Sequence, residues 1–210
     1  MALKAKAGAN VAPVEAGTHV AVCIGYADLG TQHDEYEGNV TVSRKVLLFW
    51  DIPGLRIDVD GKDLPRRISK RYTLSLGKKA TLRAVLESWR GRAFTPEELK
   101  GFEIRNLVGA GCMLSIVHKP KADGSGVRAE VASVMALPKG MPIPHMEVDP
   151  LIYECEDEQG NFVEPHSSLP PWVVEIITES EEFRRAHGQP PADAGPQAAQ
   201  PAVEDLDVPF

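Results

Sequence analysis

The chain has 210 residues, 43% of them hydrophobic and 25% charged, with a net charge of −7. These proportions fit a globular protein with one good-sized domain plus extra segments, and no apolar run approaches the roughly 20 residues that cross a membrane as a helix. Three widely spaced cysteines, Cys23, Cys112 and Cys155, argue for buried free thiols in a reducing compartment, hence a cytoplasmic location.

Residues 1–16 are Ala-rich, with charges only at Lys4, Lys6 and Glu15, and lack the apolar centre of a signal peptide; they predict a flexible N-terminal arm. A first strand is predicted over Thr18–Leu29, with Val20, Val22, Ile24 and Tyr26 alternating onto one apolar face. Gly30–Gly38 reads as a polar loop containing Tyr36. A second strand follows over Asn39–Ile52, with Val40, Val42, Val46, Leu48 and Trp50 on one face and Thr41, Ser43, Lys45 and Phe49 on the other. Arg44 lies on the apolar face and is expected in a structural ion pair near one end of the domain. Asp51–Arg56 and Asp60–Leu64 carry Pro and Gly and predict turns. A third strand spans Arg66–Leu76, with Ile68, Tyr72, Leu74 and Leu76 opposite Arg67, Ser69, Arg71, Thr73 and Ser75.

The period then changes. Leu82, Val85, Leu86 and Trp89 fall at helical spacing and predict a helix over Lys78–Trp89. Thr95-Pro96-Glu97-Glu98 is a capping box that opens a short helix ending by Gly101, and Phe102–Val108 adds another turn. Two more strands are predicted over Gly111–His118 and Val127–Leu137. Three strands, a helical segment and two strands make a mainly β chain in the order of an OB-fold, the five-stranded Greek-key barrel with a helix between strands three and four. The competing arrangement is a generic α+β sheet.

Residues 17–140 therefore form the expected barrel. Pro138, Pro142, Pro144 and Pro150 mark an extended stretch, and within 141–187 a small hairpin is predicted from Leu151–Glu154 and Asn161–Val163, and a C-terminal helix runs from about Pro170 to about Ala186 and packs on the barrel. Residues 188–203 are Ala, Pro, Gln and Gly apart from Asp193 and Val203 and read as a disordered linker. Residues 204–210 are the acidic tip Glu204-Asp205-Leu206-Asp207-Val208-Pro209-Phe210.

Charge divides along the same boundaries. Residues 1–140 hold 21 Lys+Arg against 15 Asp+Glu, and residues 141–210 hold 2 against 15. A basic body with an acidic tail points to a nucleic-acid-binding domain and an interaction tail. Arg56–Arg92 alone carries 11 cations against 4 acids. Single-strand binders combine a positive groove with aromatic faces for bases, and OB-folds bind on strands two and three with the loops joining strands 1–2 and 4–5. The candidate DNA-binding set is therefore Tyr36, Lys45, Phe49, Arg66, Arg67, Lys70, Arg71, Tyr72, Lys78, Lys79, Trp89, Arg90, Arg92, Lys119 and Lys121. Phe49 and Tyr36 are the better stacking candidates, whereas Trp50, Tyr72 and Trp89 lie on apolar faces and favour the core. At the tip, Phe210 offers an apolar anchor, its carboxylate an anion for an Arg or a backbone nest, and the acids a match for a basic rim.

The ending Asp205-Leu206-Asp207-Val208-Pro209-Phe210 resembles the acidic tip of bacterial single-stranded DNA-binding proteins, departing at Leu206, where an aspartate is typical, and at Val208. Tyr72-Thr73-Leu74-Ser75-Leu76, Leu86–Arg92, Phe94–Glu98 and Leu107-Val108-Gly109 resemble a family of phage-encoded proteins regarded as single-stranded DNA-binding proteins with an OB-type core. The resemblance implies accessory work in replication, recombination or repair, with host or phage DNA-processing proteins recruited by the tip. The expected function is sequence-independent single-stranded DNA binding without catalysis, cofactor, metal or membrane, with a homo-oligomer open. The alternatives are a protein-interaction adaptor, or a metal-dependent nuclease using Asp28, Asp34 and Glu35; the six histidines show no paired metal-ligand spacing, and Gly109-Ala110-Gly111 reads as a turn.

Overall fold

The computed structural model describes residues 12–36, 38–59 and 61–190, with the side chain of Tyr36 excluded. Strand β1 (Gly17–Tyr36) pairs antiparallel with β2 (Asn39–Val59), and β2 with β3 (Lys62–Thr73). Helix α1 (Thr81–Arg90) follows, then two 3₁₀ turns (Glu98–Lys100 and Ile104–Leu107), β4 (Gly111–Pro120) and β5 (Val127–Met135). The order across the sheet is β3-β2-β1-β4-β5, and β6 (Leu151–Tyr153) joins β1 in parallel. The antiparallel sheet curls into a half-barrel, a shape compatible with an OB-like barrel. The chain closes with α2 (Pro171–Thr178) and α3 (Glu181–Ala186).

Each expected strand and the main helix are present, with shifted ends. The loop expected over Gly30–Gly38 is instead a continuation of β1 to Tyr36. The turn expected over Asp51–Arg56 is a bulge between Ile52 and Arg56, beyond which β2 and β3 pair again. The capping box forms as read: Thr95 Oγ1 accepts from the Glu98 amide at 3.3 Å and Glu98 Oε2 from the Thr95 amide at 2.9 Å. The single C-terminal helix is two helices, because Ser180 N-caps a fresh start by accepting from the Phe183 amide. Leu151–Tyr153 pairs with β1 rather than with Asn161–Val163, and the expected hairpin shrinks to a bridge between Glu156 and Phe162.

The larger difference lies in β1. Two bulges, at Cys23/Gly25 and Asp28/Gly30, interrupt its alternation. Val22 and Ile24 consequently face one core and Tyr26 the other, so the single apolar face expected of Val20, Val22, Ile24 and Tyr26 does not form. The inner core gathers Cys23, Tyr26, Leu48, Trp50, Tyr72, Leu86 and Trp89 inside the half-barrel. The outer core packs Ile24, Leu29, Leu47 and Phe49 against Leu151, Tyr153, Leu169, Val173 and Ile177 of the C-terminal segment. All three cysteines are buried with free thiols. Among the described residues no helix is long and apolar enough to cross a membrane.

The arm expected over 1–16 is anchored from Ala12 onward. Val14 is buried, His118 Nε2 lies 2.8 Å from its carbonyl, and Arg66 donates to the Ala12 carbonyl. Residues 1–11, the linker beyond Pro190 and the acidic tip lie outside the described residues.

Two glycines admit the C-terminal segment. A Cβ on Gly25 would stand 1.8 Å from the Leu151 carbonyl oxygen, which is backbone and cannot yield. A Cβ on Gly30, whose φ is +70°, would stand 2.5 Å from Glu182 Oε2 and 2.7 Å from Ser180 Cβ. Gly25→Ala should therefore force β6 off β1 and destabilise the protein by at least the roughly 1–3 kcal/mol of an overpacked core. Gly54→Ala, with open space at the same position, should be near neutral. Urea unfolding decides it: equal midpoints for the two variants would show that the close approach does not constrain the fold.

Candidate nucleic-acid interface

On β3 the outward row reads Arg67, Ser69, Arg71 and Thr73, facing Asp51, Phe49, Leu47 and Lys45 of β2 in register. Arg67 donates to Asp51 at 2.8 Å. Burial raises the Asp51 pKa, and the Arg67 bond and charge pull against that rise. Lys45 Nζ lies 2.7 Å from Asp34 Oδ2 and donates to Thr73 Oγ1 at 3.1 Å, while Arg71 approaches Asp34 at 3.7 Å.

Strands β3 and β5 are the two ends of the sheet path. Lys70 spans between them, donating to the Val131 carbonyl at 2.5 Å and lying 3.4 Å from Glu130 Oε1. Glu130 is also approached by Lys119 at 2.7 Å and by Arg128 at 3.8 Å, so three cations converge on one carboxylate. Burial pushes the Glu130 pKa up, but the bonds and charges of Lys119 and Lys70 outweigh it and the net shift is downward.

In these ion pairs of the described residues, Lys45, Arg67, Lys70, Arg71, Lys119 and Arg128 stand against Asp34, Asp51 and Glu130. Two of the carboxylates each hold more than one cation. They fix the positions of the basic side chains and leave a surplus of positive charge, the property a phosphate-tracking surface needs.

The other candidates divide. Lys78, Lys79 and Lys121 are exposed, and the charge of Lys121 adds to the Ser125 hydrogen bonds in lowering the Asp123 pKa. Arg90 and Arg92 instead share Glu98, with Arg90 also lying over the Phe94 ring at 4.3 Å, so both clamp α1 to the following turn. The aromatic candidates change most. Phe49 has no exposed surface, because the C-terminal segment covers the outer face of β2 there, and this conformation offers no ring for stacking. Tyr72 and Trp89 are buried in the inner core, and the Trp89 indole N–H donates to the Gly111 carbonyl at 2.9 Å. Tyr36 lies at the end of β1 with its side chain undescribed. None of the described aromatic candidates is thus available to a base.

Arg44 forms the structural pair expected of it, with Asp28 at 2.5 Å, and also meets Glu156 at 2.9 Å. Asp28 further accepts from the Gly30 amide at 3.1 Å and from the Cys155 thiol at 3.2 Å. Asp28 and Asp34 are thus each held by cations, and no group of three or more metal-ligating side chains occurs among the described residues.

Sequence reasoning missed a pocket of about 420 Å³ at this end of the half-barrel. Tyr26 and Asp28 of β1, Arg44 and Val46 of β2, and Leu74 just after β3 form one wall. Glu103, Ile104, Arg105 and Glu154 form the other. The Tyr26 hydroxyl donates to Glu154, which Arg105 approaches at 3.4 Å. Burial, then the Glu154 bond, pushes the Tyr26 pKa up to about 12, keeping the phenol protonated. The inward alternation of three strands running out at one end was the available signal.

If Lys70 is the tie between β3 and β5, Lys70→Met should cost about 1–2 kcal/mol, the worth of a hydrogen bond from a charged donor less the apolar stem retained. An unchanged unfolding midpoint in urea would show that the two strands hold together without it.

No family model matches the chain, and no curated protein matches it.

Proposed function

We propose that this protein binds single-stranded DNA without sequence preference, through the basic side formed by β3, β5 and the β4–β5 hairpin. The observation that carries this reading is the surplus of cations held in place by Asp34, Asp51 and Glu130. The order of strands supports assigning the half-barrel as an OB-fold: β1 is flanked by β2 and β4, and a helix separates β3 from β4. The resemblance of Tyr72–Leu76, Leu86–Arg92 and Phe94–Glu98 to phage-encoded single-stranded DNA-binding proteins supports the same assignment. On this reading the protein works in the cytoplasm in replication or recombination, and Glu204–Phe210 recruits DNA-processing proteins while the body stays on the strand.

The groove differs from the one OB-folds use on strand two, because the C-terminal segment occupies the outer face of β2 at Leu47 and Phe49. The strand path is instead β3 and the β3–β5 side. Binding there rests chiefly on phosphates, so its dependence on salt is steep.

The test is the anisotropy of a labelled oligo-dT; indole fluorescence is a poor reporter, since Trp50 and Trp89 are buried and the half-buried Trp172 packs against the outer core rather than on the basic side. With about four phosphates engaged, the log–log salt slope is about −3 and affinity falls roughly fiftyfold from 50 to 200 mM salt. Lys119→Gln with Lys121→Gln should flatten the slope by about 1.4. No binding at low salt would refute the reading and leave a protein-interaction adaptor in its place; strand cleavage with Mg²⁺ would put a nuclease there.

A further inference from the structure

We infer that the pocket at the end of the half-barrel takes a single nucleobase of the bound strand, an inference that rests on the DNA reading above. A strand held only through phosphates leaves its bases in water, and the described aromatic candidates, Phe49, Tyr72 and Trp89, are buried. The pocket supplies what they do not. Leu74, 38% exposed, and the half-buried Ile104 form apolar walls over a floor of the buried Val46 and Tyr26, the latter fixed by its bond to Glu154. The rim mixes acceptors and donors: Glu103 and Glu154 carry carboxylates, and Arg105 a guanidinium whose side chain is 63% exposed.

A nucleobase matches that mixture, since it has flat apolar faces and an edge bearing both donors and acceptors. Other ligands fit less well. A phosphate would meet the carboxylates of Asp28, Glu103 and Glu154. A cationic side chain would meet Arg44 and Arg105, and a purely apolar chain would bury the polar rim unpaired. The chain's own acidic tip would bring further carboxylates to a site that already has three. The volume of about 420 Å³ lies in the ordinary range of small-molecule sites, ~300–1,000 Å³.

The position also suits a strand on the basic side. Lys45 and Thr73 close the outward row of β2 and β3, and the next residue, Leu74, is a pocket wall whose amide donates to the Arg44 carbonyl at 2.8 Å. Lys78 and Lys79 follow within five residues and are exposed. A strand following Arg67, Arg71 and Lys45 therefore arrives beside Leu74 at the pocket's edge.

The experiment compares oligo-dT with an abasic oligonucleotide of the same length by anisotropy, for the unaltered protein and for Leu74→Asp. The unaltered protein should bind oligo-dT about five- to a hundredfold more tightly, the worth of one sequestered base. In Leu74→Asp that ratio should fall to near one, whatever the added charge does to both affinities. A 5-bromodeoxyuridine oligonucleotide, cross-linked to the unaltered protein by light and mapped, should mark the pocket lining at Tyr26, Leu74 or Ile104, so a variant that fails to fold does not decide the matter. Equal, salt-dependent binding of both oligonucleotides would overturn the pocket and leave the phosphate reading standing. A ratio that persists in Leu74→Asp, or a cross-link elsewhere, would also overturn it. Binding of neither oligonucleotide would remove the DNA reading and the pocket together.

Discussion

The two-sided burial of β1 is the constraint on which the rest of this structure depends. A strand in a small antiparallel barrel ordinarily shows one face to the core and one to water. Here Cys23 and Tyr26 look into the half-barrel while Ile24, Ala27 and Leu29 look outward into a second core, and all five are buried. The second core exists only because β6 and the paired helices α2 and α3 come close to the strand. Gly25 gives β6 the room to do so. Gly30 gives Glu182 and Ser180 the same room, and Glu182 then accepts from the Thr31 amide at 2.7 Å and the Thr31 hydroxyl at 2.8 Å. A carboxylate buried in this way is tolerated because both its oxygens have donors. The C-terminal segment is therefore part of the fold rather than an appendage to a finished barrel, and it decides which surface remains open.

What was legible in the sequence follows from that division. Regular alternation in β2 to β5 placed Leu48, Trp50, Ile68 and Leu114 in the core, and helical spacing placed Leu82, Leu86 and Trp89 on α1. Those signals are local, and the structure retains them. The bulges in β1 are not local: each is fixed by a partner more than a hundred residues away, so Gly25 and Gly30 carried the information without revealing what would approach them. Phe49 shows the same limit from the other side. Its place opposite the inward row was correct, but a position facing away from one core becomes solvent-exposed only if no second layer covers it. Arg44 was readable because a guanidinium on an apolar row needs an anion, and Asp28 is the inward-facing acid on the neighbouring strand.

The cations were legible as a cluster but not as an arrangement. Counting residues marks Arg56–Arg92 as basic and cannot say which of its members are engaged. In the fold, Arg90 and Arg92 spend their charge on Glu98, whose carboxyl they hold down to about 2 together with the Thr95 amide, and they act locally. Lys70 becomes a tie between β3 and β5 through the Val131 carbonyl. Arg67, Arg71 and Lys45 stay on the outer row, and Lys119 and Arg128 join them from the far side of the sheet. The basic surface is assembled from segments that are separate in sequence.

This assembly sets the character of any anion binding. A cluster of cations alone repels itself, and at ~8 Å Debye length neighbouring side chains feel one another. Asp34 and Glu130 relieve that repulsion by standing between cations, and the surface remains positive because the cations outnumber them. An arriving phosphate must share Lys119 or Arg71 with a carboxylate already in place, so each contact gains less than a free lysine would give. On the proposed reading, the surface attracts a polyanion along its length but holds no single phosphate tightly. Such a surface releases a polyanion readily when salt or a competing protein intervenes, which fits the strand-coating role proposed above.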